Sequence, residues 1–168
     1  MALVLGFLID LVSNVLNLNS LKSEAPDGLS DVYSPSEYQR AQEYTKVTTH
    51  FGLAVSFFNL LLFLGFWFVG GFNALDLWVR SLNTHVVVTG VIYLYILILS
   101  YSVVKLPFAL YSTFVIEQRF GFNKMTPLTF AVDTVKGLLL TLILGIPLLV
   151  ILLAFFEYGG SLAWLYAW

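Results

Sequence analysis

Gly137-Leu138-Leu139-Leu140-Thr141-Leu142-Ile143-Leu144-Gly145-Ile146-Pro147-Leu148-Leu149-Val150-Ile151-Leu152-Leu153-Ala154-Phe155-Phe156 contains no charged residue, and its reading decides the fold. A hydrocarbon core about 30 Å thick takes roughly 20 residues of helix. In lipid every backbone amide must be satisfied within the segment, so the stretch is a helix or part of a closed barrel. Barrel strands alternate apolar and polar residues. The run from Leu138 to Leu144 does not alternate, so it reads as a membrane-crossing helix.

Outward from this stretch, Phe51 to Gly71 is also free of charge, and so is Ser81 to Val104 with His85 neutral. The composition agrees, at 59% hydrophobic and 11% charged, against roughly 45–50% and about 25% in soluble domains. That excludes an ordinary water-soluble domain. The formal charge of −2 offers no footprint for nucleic acid. Cysteine is absent, which removes disulfides, a thiol nucleophile and thiolate metal sites.

Met1 to Leu18 is more finely balanced. Its eleven strongly apolar residues favour insertion by about 0.3 to 0.6 kcal/mol each, while Asp10 costs roughly 3. A cleaved or interfacial segment is the alternative, but a signal peptide needs a basic start and no Lys or Arg precedes Lys22. As a span, it requires Asp10 to face the bundle interior and find a partner. The expected fold is an all-α integral membrane bundle in one domain, 1-168. Its spans fall at about 1-18, 51-71, 84-105 and 134-157, with a structured loop between the third and fourth. Tyr158 to Trp168 is too short to cross. It reads as a turn at Gly159-Gly160 and the start of a fifth helix near 162-168, so a chain ending there reads as a fragment.

Basic residues set the orientation. Lys22, Arg40 and Lys46 lie between spans one and two, and Lys105, Arg119, Lys124 and Lys136 between spans three and four; Arg80 alone lies between spans two and three. Loops one and three are therefore expected in the cytoplasm and the N-terminus outside. The sequence has no N-glycosylation sequon, which fits a bacterial inner membrane, with the endoplasmic reticulum as the alternative.

The loops carry their own signals. Ser34-Pro35-Ser36-Glu37 is a capping box with Pro at the first helical position, and Tyr33 and Tyr38 are spaced for a hydrophobic staple. The helix from Pro35 should run unbroken into span two, with Glu37–Arg40 and Glu43–Lys46 pairs along it. Upstream, Glu24-Ala25-Pro26-Asp27-Gly28 reads as a turn. Pro107 should kink or end span three, Gly121 should cap the segment after it, and Thr126-Pro127 should open the next helix. Gly145 and Pro147 suggest a kink in span four. Gly65, Gly70 and Gly71 are candidates for close helix packing.

Glu117, Arg119, Asn123, Asp133 and Lys136 cluster at the mouth of the bundle between spans three and four. They read either as a docking surface or cavity rim, or as a solvated interfacial loop. The two histidines, His50 and His85, fall on opposite sides of the membrane in this topology. Both read as interfacial residues rather than ligands, and the acidic residues form no convincing pair for acid–base work, so no catalytic or metal-ligating residue is expected in this chain.

Leu106-Pro107-Phe108-Ala109-Leu110-Tyr111-Ser112-Thr113-Phe114-Val115-Ile116-Glu117-Gln118-Arg119-Phe120-Gly121-Phe122-Asn123 closely resembles the signature of the CAAX prenyl protease 1 family. Further likeness lies in Asp31-Val32-Tyr33, Tyr38 to Thr45, Phe66-Trp67, Gly70 to Asn73, Thr126-Pro127, Glu157-Tyr158 and Ala163 to Trp168, covering about Leu16 to the end. The resemblance implies a seven-helix membrane chamber with a cytoplasm-facing zinc site. That enzyme removes the last three residues of prenylated substrates, and some members act in membrane-protein quality control. It also implies that the zinc ligands, an H-E-x-x-H helix and a later Glu, belong to a C-terminal protease domain absent from this chain. The expected partners are the bilayer, that domain and a prenylated peptide. The docking reading of the five polar residues and a chamber wall formed by spans two to four both follow from it. A stand-alone scaffold bundle without enzymatic activity is the alternative.

Overall fold

The computed structural model describes residues 1–21 and 34–167. Lys22, the Glu24–Gly28 turn, the Asp31-Val32-Tyr33 likeness and the Tyr33 half of the staple lie outside them. In chain order come α1 (Ala2–Ser20), α2 (Pro35–Phe68), α3 (Gly71–Arg80) and α4 (Val86–Tyr111). A π-helix (Ser112–Glu117), α5 (Pro127–Tyr158), a 3-10 turn (Gly160–Leu162) and α6 (Ala163–Tyr166) follow. All regular structure among the described residues is helical. Among the described residues four helices are long and apolar enough to cross a membrane: α1, α2, α4 with its π-helical extension, and α5. Each exposes many Leu, Ile, Val and Phe side chains, the kind of surface that lipid, rather than water, covers.

Where the sequence reads as one domain, the contacts divide into two compact units. The first joins Met1–Val69 with Pro107–Lys124, and the second joins Gly70–Leu106 with Met125–Trp168.

In the first unit the capping box forms as the sequence predicts. Ser34 Oγ accepts the Glu37 N–H at 3.3 Å and Glu37 Oε2 accepts the Ser34 N–H at 3.1 Å. From this start α2 runs unbroken for 34 residues. The half-buried stripe of α1 is Phe7, Leu11, Asn14 and Leu18, a three-four repeat that rests on α2. Phe7 meets Phe57 with ring centroids 6.0 Å apart. Asp10 falls off that stripe and is exposed, so its expected interior placement is corrected. Turning it inward would carry the stripe away from α2.

In the second unit α4 and α5 meet through small residues. A β-carbon at Gly90 would lie 2.9 Å from Leu153 Cδ1, and one at Gly145 would lie 2.3 Å from the Tyr95 hydroxyl. Tyr95 uses the space to donate to the Thr141 carbonyl at 2.6 Å. Lipid supplies no hydrophobic drive between helices, so close approach and hydrogen bonds carry this contact. The close-packing glycines are thus Gly90 and Gly145 rather than Gly65 and Gly70, which have open space around their missing β-carbons. Gly70 serves a different need: its φ of 75° forms the left-handed cap before α3.

Of the two outcomes expected of Pro107, a kink or an end, the helix does not end there: α4 continues to Tyr111 and passes into the π-helix. One further feature lies outside the sequence reading. The link between spans two and three contains a ten-residue helix, α3, which buries Val79 fully and exposes Leu77 and Trp78. That run is too short for an apolarity test to register. At the other end, Gly159 lets Ala163 close against the end of α5: a β-carbon at Gly159 would lie 2.5 Å from the Phe155 carbonyl oxygen and 2.9 Å from Ala163 Cβ.

Candidate functional site

Residues 107–124 are where sequence and geometry converge. A π-helical turn closes hydrogen bonds five residues apart and so holds about one extra residue per turn; such turns recur at functional sites. The turn from Ser112 to Glu117 leaves Ile116 and Phe120 on one face, 3% and 4% exposed. Gly121 then reverses the chain in the left-handed conformation, φ 75°. The N–H groups of Phe122 and Asn123 both return to the Glu117 carbonyl, at 2.9 and 3.2 Å. This is the C-cap expected of Gly121, and it satisfies a carbonyl the helix end would otherwise leave open.

The capped segment is clamped to the first half of α2. Arg40 donates from its guanidinium to the Phe120 carbonyl. A β-carbon at Gly121 would stand 2.7 Å from that same guanidinium, so Gly121 answers both a backbone and a space requirement. Arg119 pairs with Glu43 at 2.9 Å and lies over the Phe120 ring at 5.5 Å. Tyr44 sits edge-on to Phe120 and Phe122, with centroids 5.3 and 4.8 Å away. Two turns further along α2, Phe51 meets Tyr111 at 5.1 Å, and Phe58 meets Phe108 at 5.1 Å. Tyr44, Phe51 and Phe58 are seven residues apart and share one helix face. Each such aromatic pair contributes about 0.5–1.5 kcal/mol beyond its buried area.

This replaces the local pairs expected along α2. Glu37 is engaged in the capping box, Arg40 reaches a carbonyl 80 positions away, and Glu43 takes Arg119 from 76 positions away. Local spacing alone favours i,i+3 partners; the packed segment offers Arg40 a carbonyl and Glu43 a guanidinium instead. Of the five polar residues singled out, Glu117, Arg119 and Asn123 come together in the first unit around this cap. Asp133 and Lys136 belong to the second unit and face each other one turn apart on α5, at 3.9 Å and largely exposed. The sequence reading gives Arg40 and Glu43 only local partners and leaves Tyr44 outside the candidate site. The available signal was that residues 38–45 carry part of the same family likeness as the segment they hold.

A second face of α2 is polar. Gln42, Thr45, Thr49, Gly52, Ser56 and Asn59 follow one another at three- and four-residue intervals. Thr48, Thr49, Gly52, Leu53 and Ser56 form, with Asn14 of α1, a cleft of about 310 Å³. The side-chain oxygens of Gln42 and Asn59 are buried without a hydrogen-bond partner among the described residues.

Both histidines are engaged in hydrogen bonds within their own units. His50 Nδ1 donates to the Lys46 carbonyl at 2.7 Å. His85 Nδ1 accepts the Val87 N–H at 3.3 Å, and its Nε2 lies 3.2 Å from the Tyr158 hydroxyl. No group of three His, Cys, Asp or Glu side chains able to hold a metal stands together among the described residues.

Comparison with known proteins bears on the same segment. Residues 14–168 match the family described as CAAX prenyl protease N-terminal, five membrane helices. The chain is 31% identical over its whole length to the CAAX prenyl protease 1 homolog of Arabidopsis thaliana, of which it covers 43%. It is 30% identical over 88% of its length to the probable CAAX prenyl protease 1 of Schizosaccharomyces pombe, covering 34% of that protein. The Caenorhabditis elegans homolog is 33% identical over 85% of the chain, with 31% of that protein covered. The chain thus spans less than half the length of the curated relatives it matches.

Proposed function

This chain belongs to the CAAX prenyl protease family as its N-terminal membrane domain, and on that premise we propose that it serves a zinc endopeptidase that trims C-terminal tripeptides from prenylated proteins. In this reading a C-terminal protease domain supplies the zinc and the reacting groups. The chain itself supplies membrane anchorage, part of the wall of the substrate chamber, and a surface on which that domain docks. Glu117, Arg119 and Asn123 of the first unit and Asp133 and Lys136 of the second are the residues assigned to docking. Spans two to four form the wall.

The observation that carries the reading is the clamp: the stretch most like the family folds as a capped π-helix held on α2 by Arg40, Glu43 and Tyr44. The polar face of α2 supports the wall. In a membrane-spanning segment a face bearing Thr49, Ser56 and Asn59 suits water or a peptide backbone better than lipid. Orientation follows the same logic. Loop three touches the part of α2 that precedes its apolar span, which supports both loops lying on one side, in the cytoplasm, with the N-terminus outside.

The test uses the longer protein carrying this domain and a farnesylated peptide ending in a CAAX sequence. Release of the terminal tripeptide is expected, lost on chelation of zinc and restored by adding it back. Reversing the charges of Asp133 and Lys136 together with Glu117 should cut tripeptide release at least tenfold while the protein remains membrane-inserted. Unchanged release would sink the docking surface; no zinc-dependent release at all would sink the enzymatic reading and leave a scaffold.

A further inference from the structure

The corner between α3 and α4 carries chemistry that the protease reading does not use. A cleft of about 330 Å³ opens there, lined by Arg80, Asn83, Thr84, Val86 and Thr89. We propose that this cleft binds the phosphodiester of a membrane phospholipid, and the inference is independent of any enzymatic role.

Charge is the first argument. Arg80 is the sole basic residue between Lys46 and Lys105, and it stands in the link that the basic-residue asymmetry otherwise leaves without cations. Asp76 accepts from its Nε at 2.7 Å. That contact uses one edge of the guanidinium and orients it, while the two terminal nitrogens keep the forked geometry that suits a phosphate.

Neutral donors complete the cleft. The hydroxyls of Thr84 and Thr89 lie 2.9 Å apart, and Thr89 also points to the Thr84 and His85 carbonyls at 3.3 and 3.2 Å. With the Thr89 hydrogen given to a carbonyl, the Thr84 hydrogen can pass to Thr89 or to an acceptor in the cleft. Asn83 holds the left-handed conformation, φ 51°, which Asn tolerates better than most residues. One of its amide hydrogens goes to the Ser81 carbonyl at 3.3 Å, and an amide carries two.

The surroundings identify lipid as the source of the phosphate. Leu77, Trp78, Leu82 and Val86 near the cleft are between 46% and 61% exposed. α3 joins two membrane-crossing helices, so this apolar collar lies at the bilayer surface, where Trp is favoured and where glycerol and acyl chains meet a headgroup. A free phosphate would gain nothing from the collar and would meet the Asp76 carboxylate with more negative charge than a diester carries.

The test is native mass spectrometry of the purified chain in detergent, titrated with dioleoyl phosphatidylglycerol, with dioleoylglycerol, and with inorganic phosphate as competitor. Phosphatidylglycerol should be retained and dioleoylglycerol should not, and millimolar phosphate should fail to displace the lipid. Arg80→Gln should weaken retention about tenfold, the equivalent of roughly 1.4 kcal/mol. Asp76→Asn should strengthen it several-fold, because it removes a like charge facing the phosphate. Thr84→Val, which leaves the ion pair intact, should weaken it severalfold and guards against misfolding of the Arg80 variant. Equal retention of dioleoylglycerol, or no loss in both the Arg80 and Thr84 variants, overturns the proposal. So does weaker binding in Asp76→Asn, which would make Arg80 a structural partner only. Displacement by phosphate alone would make the cleft a soluble-anion site and overturn the assignment to lipid.

Discussion

Two contacts, one in each unit, hold helices together by different physics. In the first, residues 119–122 meet α2 through a cation on a carbonyl, an ion pair and two edge-on aromatic contacts, each joining positions far apart in the chain. In the second, α4 meets α5 where side chains are missing, at Gly90 and Gly145, and a single buried hydroxyl fills one of the gaps. The first arrangement suits a segment at the edge of the membrane, where water competes for polar groups and strong directional contacts are needed to define one register. The second suits a lipid interior, where close approach is the main source of attraction. A polar signature and an apolar contact are therefore two solutions set by two solvents.

The difference can be broken first at Gly121. Gly121→Ala combines a left-handed backbone with a β-carbon 2.7 Å from the Arg40 guanidinium, and should cost about 2–4 kcal/mol in detergent unfolding. Adding Arg40→Ala should recover only the steric share, leaving the backbone cost. Full recovery, or no effect from Gly121→Ala alone, would show that the clamp is not what constrains this residue.

Next comes Gly145. Gly145→Ala should destabilise by about 1–3 kcal/mol, because its β-carbon would overlap the Tyr95 hydroxyl. In a Tyr95→Phe background the nearest ring atom is 3.5 Å away, an ordinary contact, so the same alanine should be nearly silent there. Equal cost in both backgrounds would remove Tyr95 as the reason for the glycine.

The smallest effect is expected at the exposed Glu43–Arg119 pair. A double-mutant cycle with Glu43→Gln and Arg119→Gln should yield about 0.2–1 kcal/mol of coupling, falling as salt is raised. Coupling that ignores salt would mean that the pair is better shielded than its exposure indicates.

Much of this was readable in the sequence because it depends on local chemistry. Uncharged runs give the spans, Ser34 to Glu37 gives a cap, Thr126-Pro127 starts a helix, and Gly121 ends one. The contacts that make the site were not readable in the same way. Arg40 has an acidic residue three positions before it, and nothing in its neighbourhood points to a carbonyl at Phe120. A π-helical turn is a shift in hydrogen-bond register, and Ser112 to Glu117 has no composition that marks one. Gly145 beside Pro147 reads as a kink, and nothing local points to Tyr95 from another helix occupying the space at Gly145. α3 is not legible because its ten residues, six of them apolar, are too few to span.

The length of α2 has a mechanical consequence. At about 1.5 Å per residue its 34 residues reach roughly 51 Å, so about 20 Å of it stands beyond a 30 Å hydrocarbon layer. Arg40, Glu43 and Tyr44 sit on that protruding length and carry the capped segment with them. α2 is therefore a lever whose fulcrum is the membrane surface. A change in tilt of about 20°, within the range bilayer thickness can impose, would swing the far end by roughly 7 Å. A change of tilt would therefore displace the capped segment together with the end of α2 that carries it.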